Sequence, residues 1–196
     1  MSRPMLERRA ATSRLLRDRG DALVVTGLGS TTYDAFAAGD SPCTFYLWGA
    51  MGGAAMVGLG LALARPERRV VVITGDGEML MGLGSLATIG VQRPANLAVV
   101  VIDNGLYAET GMQRTHTASG VDLAGVAHSC GFARAETIGT QADLDRLART
   151  VYEAPGPFFA AIKVSPDPTS IELAPRDGPG LRDRFRAAAL GTLAGR

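Results

Sequence analysis

The sequence has few cysteines, and those it has are isolated from each other. Cys43 and Cys130 are the two cysteines among 196 residues, and neither belongs to a CxxC pair. This pattern argues against a structural zinc site, an iron–sulfur cluster and a secreted fold held by disulfides. We therefore expect a cytoplasmic protein whose thiols are reduced.

Long apolar runs and a charge imbalance are also missing. Every apolar run is interrupted by Gly, Pro or a charged residue well short of about 18 residues, the length that indicates a transmembrane helix. The 20 Lys and Arg residues nearly balance the 19 Asp and Glu residues, which leaves a formal charge of +1. Because the net charge is close to zero, no strong electrostatic field attracts the protein to polyanions, and neither nucleic acid nor a membrane is an expected partner. Any anion must be bound by local groups.

The length of the chain and its apolar content, 46% hydrophobic residues, suffice for one sizeable core but not for two. We therefore predict a single domain over residues 1–196. Its first 20 residues contain arginines interspersed with acidic residues and no long apolar segment, which favours an amphipathic helix at 5–19. A transit peptide is the alternative. The last part, 166–196, is predicted to be a proline-rich tail at 166–180 followed by a helix at 181–193.

Short apolar segments alternate with helix-length segments along most of the chain. The segments rich in Val or Ile and bounded by Gly, Pro or Asp are typical of buried parallel strands; they are 22–25, 70–73, 97–102 and 158–164, with a further short strand possible at 133–137. Helices are predicted at 50–64, 78–90, 122–130 and 141–152. This alternation predicts an α/β fold with a doubly wound, mainly parallel sheet and helices on both faces.

A glycine–aspartate–glycine motif at residues 75–77 follows one apolar strand and precedes a predicted helix. Asp76 offers a hard oxygen ligand to a cation, and flexible glycine backbone at a helix N-terminus offers N–H donors to an anion. A diphosphate bridged by Mg²⁺ requires both. The next strand ends at Asp103 and Asn104, and the carboxyl ends of parallel strands share one edge of the sheet, so Asp76 and Asn104 are expected to meet there. Taken alone, the motif is more often a simple turn with a capping Asp.

The motif, the helix and strand after it and the Asn-containing turn together resemble the thiamine diphosphate-binding motif of thiamine decarboxylases and acetolactate synthases. The family usually has Asn-Asn where this chain has Asp103-Asn104. The resemblance implies thiamine diphosphate and Mg²⁺ as cofactors, with Asp76, the Asn104 side chain and the Leu106 backbone carbonyl as metal ligands. It also implies that Gly75, the backbone N–H groups of Gly77 and Glu78, and Tyr107 contribute to cofactor binding. Glu78 stands where the family usually has Ser or Ala, so its side chain has no implied role.

An upstream stretch, residues 45–53, resembles the segment that holds the aminopyrimidine ring in the same families. The resemblance implies that the Gly49 carbonyl accepts a hydrogen bond from the 4′-amino group and that Met51 bends the cofactor. The bend brings the 4′ nitrogen against the thiazolium C2 atom, whose proton it removes. A core methionine on a glycine-rich helix is the alternative for Met51.

Two further groups of candidates lie in loops. Ser30 and Thr31 follow the first strand and could donate to the terminal phosphate, or simply cap a helix. The glycines before them lack the third glycine of a dinucleotide-binding motif. Downstream, Glu109, Arg114 and His116 are candidates for contacting substrate or moving a proton, with solvated loop positions as the alternative.

The resemblance covers roughly residues 22–164 and matches the diphosphate-binding half of a thiamine enzyme. The other half, a pyrimidine-binding domain, supplies a glutamate to N1′ of the cofactor, and no glutamate here has a matching context. The resemblance therefore implies a partner α subunit with that domain, a hetero-oligomer, and a homo-oligomer without activity when the chain is purified alone.

Residues 82–90, 94–97 and 111–117 resemble most closely the β subunits of sulfopyruvate decarboxylases and the matching half of phosphonopyruvate decarboxylases. These enzymes release CO₂ and an aldehyde from a small anionic 2-oxoacid. Alternatives are a carboligase or acyl-transfer subunit, a 2-oxoacid:ferredoxin oxidoreductase β subunit, which usually has cysteines missing here, and a non-catalytic binding module.

Overall fold

Six short segments pair into one parallel sheet in a computed structural model that describes residues 5–166 and 170–191. The strands are β1 (Leu23–Thr26), β2 (Thr44–Tyr46), β3 (Val70–Gly75), β4 (Leu97–Asp103), β7 (Arg134–Ile138) and β8 (Phe158–Lys163). Their order across the sheet is β2-β1-β3-β4-β8-β7. A separate antiparallel hairpin is formed by β5 (Leu106–Tyr107) and β6 (Gln113–Arg114). The chain places β2 on one side of β1 and β3 on the other, so the direction of strand addition switches at β1. Ligands of such sheets bind at the carboxyl ends of the strands beside a switch point, which here are those of β1, β3 and β4.

Helices cover both faces of the sheet. They are α1 (Arg8–Leu16), α2 (Ser30–Ala37), α3 (Ala54–Ala64), α4 (Asp76–Met81), α5 (Gly84–Gln92), α6 (Leu123–Ser129), α7 (Gln141–Glu153) and α8 (Gly178–Leu190), with a 3-10 helix at His116–Ser119. Alternate residues of β3 point to opposite faces: Val71 and Ile73 pack with α1 and α7, whereas Val70 and Val72 pack with α3 and α5. Because both faces of the central strands are covered in this way, apolar residues occupy consecutive positions along most of their length.

The predicted fold class is confirmed, and each predicted strand is present within one or two residues of its predicted position. Several predicted helix boundaries are wrong. The helix predicted from residue 50 begins at Ala54, because Ala50 and Gly52 have φ of 55° and 91°. The helix predicted at 78–90 begins earlier, at Asp76, and is divided at Gly82, whose backbone packs against that of Gly52. The N-terminal helix is shorter than 5–19, and the last helix begins at Gly178 and ends at Leu190.

Helix α2, strand β2 and the β5–β6 hairpin were not predicted. Residues 170–177 are without regular secondary structure, as expected for the proline-rich tail; residues 167–169 and 192–196, which belong to the predicted tail and last helix, lie outside the described residues. The division of residues 1–196 as one domain stays a prediction. None of the helices within the described ranges is both long and apolar enough to cross a membrane.

Candidate active site

A cleft of about 670 Å³, counted with its open mouth, lies at the carboxyl ends of β1, β3 and β4. All the predicted site residues except Gly49, Arg114 and His116 line it; those that do are Ser30, Thr31, Met51, Gly75, Asp76, Gly77, Glu78, Asn104, Leu106, Tyr107 and Glu109. Residues from four separate loops therefore meet, as the parallel-strand argument requires. Arg8, from the N-terminal helix, also lines the cleft and was not predicted.

Asp76 is the first residue of α4 and is almost completely buried, with 2% of its surface exposed. Its Oδ2 accepts hydrogen bonds from the hydroxyls of Thr115, at 2.5 Å, and Thr117, at 3.2 Å. Burial raises the pKa of the Asp76 carboxyl above its ordinary value; the Thr115 hydrogen bond opposes this shift and the Asp103 carboxylate adds to it. The carboxylate is thus held in one orientation and would gain from a cation beside it.

A hydrogen-bonded chain connects Asp76 to the opposite side of β4. The Thr117 hydroxyl lies 2.8 Å from Asp103 Oδ1 and 3.2 Å from Asp76 Oδ2, so its single proton is shared between the two carboxylates, and Asp103 forms an ion pair with Lys163. Sequence reasoning gave no role to Thr115, Thr117 or Lys163. A signal existed for the ion pair, because Asp103 and Lys163 end neighbouring strands and occupy paired positions in the sheet.

Asn104 begins the turn that leads from β4 into the β5–β6 hairpin. Its Oδ1 accepts a hydrogen bond from the Leu106 backbone N–H at 2.9 Å, and Gly105 has φ of 74°. A carbonyl oxygen has two lone pairs, so this bond leaves one for a metal ion. The Tyr107 ring packs on the backbone of Gly77, where a Cβ atom would lie 2.4 Å from the ring. Glycine is therefore needed after Asp76 for the hairpin to approach α4.

The Glu78 side chain joins two loops that border the cleft. It is 4% exposed, and its carboxylate accepts hydrogen bonds from the backbone N–H groups of Leu28, at 2.9 Å, and Ala54, at 3.4 Å. Burial raises the pKa of Glu78, and these hydrogen bonds oppose the shift. A Cβ atom on Gly27 would lie 1.9 Å from Glu78 Oε2. The carboxylate whose role was left open thus links the loop after β1 to the start of α3.

Met51 and Gly49 lie in the loop before α3 but at different distances from the cleft. Met51 lines it and is 37% exposed, which fits a side chain on the rim rather than in the core. Gly49 is exposed and does not line the cleft. The preceding Trp48 donates from its indole N–H to the Pro175 carbonyl at 2.7 Å, so the tail passes beside this loop.

The remaining predicted residues differ in their surroundings. The Thr31 hydroxyl donates to the Gly27 carbonyl at 2.9 Å, whereas Ser30 is the first residue of α2 and is half-buried. Glu109 is exposed at the cleft mouth and accepts a hydrogen bond from the Tyr33 hydroxyl at 3.3 Å. Burial, and secondly Glu109, raise the pKa of Tyr33.

Two of the loop candidates are outside the cleft. His116 is exposed, because it lies between Thr115 and Thr117, whose side chains point inward to Asp76. Arg114 is also exposed, and its guanidinium donates to the Ala118 carbonyl at 2.5 Å. Arg114 still adjoins one predicted site residue through its backbone, because it pairs with Leu106 in the β5–β6 hairpin.

The donors that line the cleft fit a magnesium–diphosphate group. Asp76 and Asn104 supply two hard oxygens, and the first backbone N–H groups of α4 have no acceptor within the helix. Gly75 leaves open space, since a Cβ atom there would have nothing within 4 Å. Among the described residues, no group of three or more His, Cys, Asp and Glu side chains is placed to bind a metal. A metal at Asp76 and Asn104 would therefore depend on backbone and phosphate oxygens for its other ligands.

Comparison with known proteins assigns the chain to a family. Residues 28–162 match the family described as thiamine pyrophosphate enzyme, C-terminal TPP binding domain, and the chain belongs to that family. The resemblance to thiamine diphosphate enzymes is confirmed.

Individual members of the family and a solved structure that are similar to this chain are decarboxylases by name. The chain is 41% identical over 181 residues to the sulfopyruvate decarboxylase subunit beta of Methanothermobacter thermautotrophicus, covering 92% of this chain and 94% of that one. It is 43% identical over 158 residues to a phosphonopyruvate decarboxylase of Streptomyces viridochromogenes, covering 80% of this chain and 39% of that one. The thiamine diphosphate-dependent 4-hydroxybenzoylformate decarboxylase of Rhodococcus jostii superposes with a TM-score of 0.70 at 19% identity, over 86% of this chain and 34% of that one, which supports the fold.

Proposed function

We propose that this chain is the subunit of a thiamine diphosphate-dependent 2-oxoacid decarboxylase that binds Mg²⁺ and the cofactor diphosphate. The substrate would be a small anionic 2-oxoacid such as sulfopyruvate or phosphonopyruvate, and the products an aldehyde and CO₂. The observation that carries the proposal is the meeting of Asp76 and Asn104 in one cleft at the ends of adjacent strands. The names of the relatives, both decarboxylases of such acids, support the substrate class.

Each group in the cleft has a proposed task. Asp76, Asn104 and the Leu106 carbonyl bind the metal, with Asp76 oriented by Thr115 and Thr117. The bound cofactor supplies an electron sink for the carbanion left by CO₂. The backbone around Gly75 to Glu78 faces the diphosphate, with Ser30 and Thr31 beside it and Tyr107 against Gly77.

Three residues near the mouth of the cleft have proposed tasks at the reacting end of the cofactor. Met51 supports the bent conformation of the cofactor, and the Gly49 carbonyl accepts from its amino group. Glu109, exposed beside Tyr33, is a candidate for proton transfer. His116 faces outward, so a catalytic task for it requires that another chain or a bound substrate complete the site on that side.

A partner chain is part of the proposal. Helix α3 is apolar on every side, and apolar side chains of α3, α4 and α5 are exposed: Met56 at 43%, Leu63 at 52%, Met81 at 67% and Val91 at 78%. A helix that is apolar all round is expected to be covered. We propose that it is covered in a hetero-oligomer with a pyrimidine-domain subunit that supplies the N1′ glutamate, and in a homo-oligomer when the chain is alone.

Two alternative functions, a carboligase or acyl-transfer reaction and a non-catalytic role, are less well supported. A carboligase or acyl-transfer enzyme differs in what captures the carbanion, and the relatives' names favour decarboxylation. A non-catalytic module would have no need for a buried carboxylate with a raised pKa that faces an open cleft.

A cytoplasmic location is proposed because Cys43 and Cys130 are both free thiols.

Calorimetry of cofactor binding tests the metal site. With Mg²⁺ present, Asp76→Ala and Asn104→Ala should each abolish detectable binding of thiamine diphosphate, because each removes a metal ligand that water does not replace. Asp183→Ala, which removes an exposed carboxylate from α8, is the matched control and should bind as the unaltered protein does. Unchanged cofactor affinity in both cleft variants would disprove the proposed site.

Co-expression tests the partner and the reaction. The chain purified alone should have no decarboxylase activity, and adding a pyrimidine-domain subunit should give activity on at least one member of a panel of anionic 2-oxoacids. Removing the N1′ glutamate of that subunit should abolish the activity again. Full turnover by this chain alone would contradict the split site.

A further inference from the structure

Among the residues that the structure describes, one cationic side chain lines the cleft, and the cofactor-binding motif gives it no role. We propose that Arg8 binds the terminal phosphate of the cofactor diphosphate, as a binding residue that the N-terminal helix contributes. The inference rests on the proposed function. Arg8 is the only Lys or Arg among the described residues that line the cleft, whereas three acidic residues, Asp76, Glu78 and Glu109, line it as well.

Arg8 is held in place at the cleft by a buried ion pair. The residue is 9% exposed, and its Nε lies 2.8 Å from Oδ2 of Asp34, which is completely buried. Nη2 lies 3.4 Å from the other carboxylate oxygen. This leaves Nη1 without a hydrogen bond to any described residue. A guanidinium bound along one edge keeps donors on its other side for a second anion.

A second arginine shares the carboxylate that holds Arg8. Arg9 also pairs with Asp34, with its Nε 3.1 Å from Oδ1, so two guanidinium groups share one carboxylate. Arg8 is the one of the two that lines the cleft. Mg²⁺ offsets only part of the negative charge that a diphosphate and Asp76 bring together, and a forked guanidinium matches phosphate oxygens in geometry as well as charge.

Arg8 lies at the end of the cleft that α2 forms. Asp34 lies one helical turn after Ser30, which lines the cleft at the start of α2, so the two are on the same face of that helix. The segment before α1 is fixed to the sheet, because Leu6 forms a parallel bridge with Val164 and its carbonyl accepts from Ser165 N–H at 2.8 Å. Arg8 therefore reaches the cleft from an anchored element.

Binding of two ligands to two variants tests the proposal. Calorimetry with Mg²⁺ would compare thiamine diphosphate with thiamine monophosphate, which lacks the terminal phosphate, on the full-length chain with its partner subunit present. Arg8→Met should weaken thiamine diphosphate binding by roughly 10- to 100-fold, the loss expected for one charge-assisted hydrogen-bonded pair. Its affinity for thiamine monophosphate should change by less than about 3-fold.

Arg9→Met is the matched control, because it removes the other partner of Asp34 without changing the cleft lining. It should bind both ligands as the unaltered protein does. Equal losses in the two arginine variants, or equal losses of Arg8→Met for both ligands, would overturn the proposal and show that Arg8 only supports the fold.

A conservative variant covers the case in which Arg8→Met does not fold. Arg8→Lys keeps the charge but not the fork, so it should lose affinity for thiamine diphosphate selectively and by less than Arg8→Met. No selective loss in Arg8→Lys would overturn the assignment when Arg8→Met cannot be measured. If the unaltered protein binds neither ligand, the proposed function itself fails, which is a different result from binding that does not respond to Arg8.

Discussion

Replacing Gly27 with alanine should destabilise the protein through its contact with Glu78. The added Cβ atom would lie 1.9 Å from Glu78 Oε2 and 2.8 Å from Thr74 Oγ1. An ordinary carbon–oxygen contact is roughly 3.3 Å, so the carboxylate would have to move by more than an ångström. That movement breaks its hydrogen bond to the Leu28 N–H, which is 2.9 Å long, in a site where little water can replace it.

The expected loss of stability follows from the hydrogen bond between Glu78 and the Leu28 N–H, which would break. A hydrogen bond to a charged group contributes about 1.5–3 kcal/mol, and alanine returns about 0.4–1 kcal/mol by restricting the unfolded chain. We expect a net loss of about 1.5 kcal/mol in the free energy of unfolding, or roughly 3–6 °C in melting temperature for a chain of this size. Gly60→Ala is the control, because a Cβ atom there has open space and a helical position, so it should not destabilise.

A double-mutant cycle measured by chemical denaturation decides whether the contact is responsible. In the Glu78→Ala background the carboxylate is gone, so Gly27→Ala should cost little, and the interaction energy between the two changes should be about 2 kcal/mol. The same cost for Gly27→Ala in both backgrounds would refute the assignment of Glu78 as the group that requires glycine at position 27.

Two further predictions concern the cleft. Met51→Ala should bind thiamine diphosphate with partly retained affinity but lose most of the turnover, because Met51 lies on the rim away from the metal ligands; exchange of the cofactor C2 proton as fast as in the unaltered enzyme would contradict its proposed task. Asp76→Asn should raise the stability of the metal-free protein near neutral pH. The pKa of Asp76 is raised by burial, so the stability that its protonated form contributes is present at low pH and lost as pH rises through that pKa. Asparagine does not titrate, so its advantage in denaturation experiments should grow as pH rises from the ordinary pKa of an aspartate through the raised pKa, and stay constant above it; a difference that is the same at every pH would argue against the raised pKa.

The central sheet was predictable from the sequence because its strands are buried on both faces. The first four residues of β3 and the first six of β4 are all apolar, and that pattern can be recognised without knowledge of the neighbouring strands. Helix α2 and strand β2 were missed because they are short and carry polar residues. Thr31 and Thr32 are buried there and donate to the Gly27 carbonyl, whereas Asp34 is buried against Arg8 and Arg9, which are distant in sequence.

The motif residues of the cleft were predictable, but the groups that hold them were not. Asp76 and Asn104 follow neighbouring strands, and a local rule places such residues at one edge. The hydrogen bonds that orient Asp76 come from Thr115 and Thr117 on the far side of a hairpin, and those of Glu78 come from backbone N–H groups. Neither kind of contact leaves a spacing that can be read along the chain.

The order of the strands has a consequence for how the protein reaches its native state. Strands β4 and β8 are neighbours in the sheet, yet the hairpin, α6, β7 and α7 lie between them in the chain. Pairing across so long a connection requires an unfavourable loop closure before any contact rewards it, which slows folding. Thr115 and Thr117 belong to this connection, so Asp76 obtains its supporting hydroxyls only after the connection is in place. We therefore expect competence for metal binding to appear late in refolding, after most of the helical signal has been recovered.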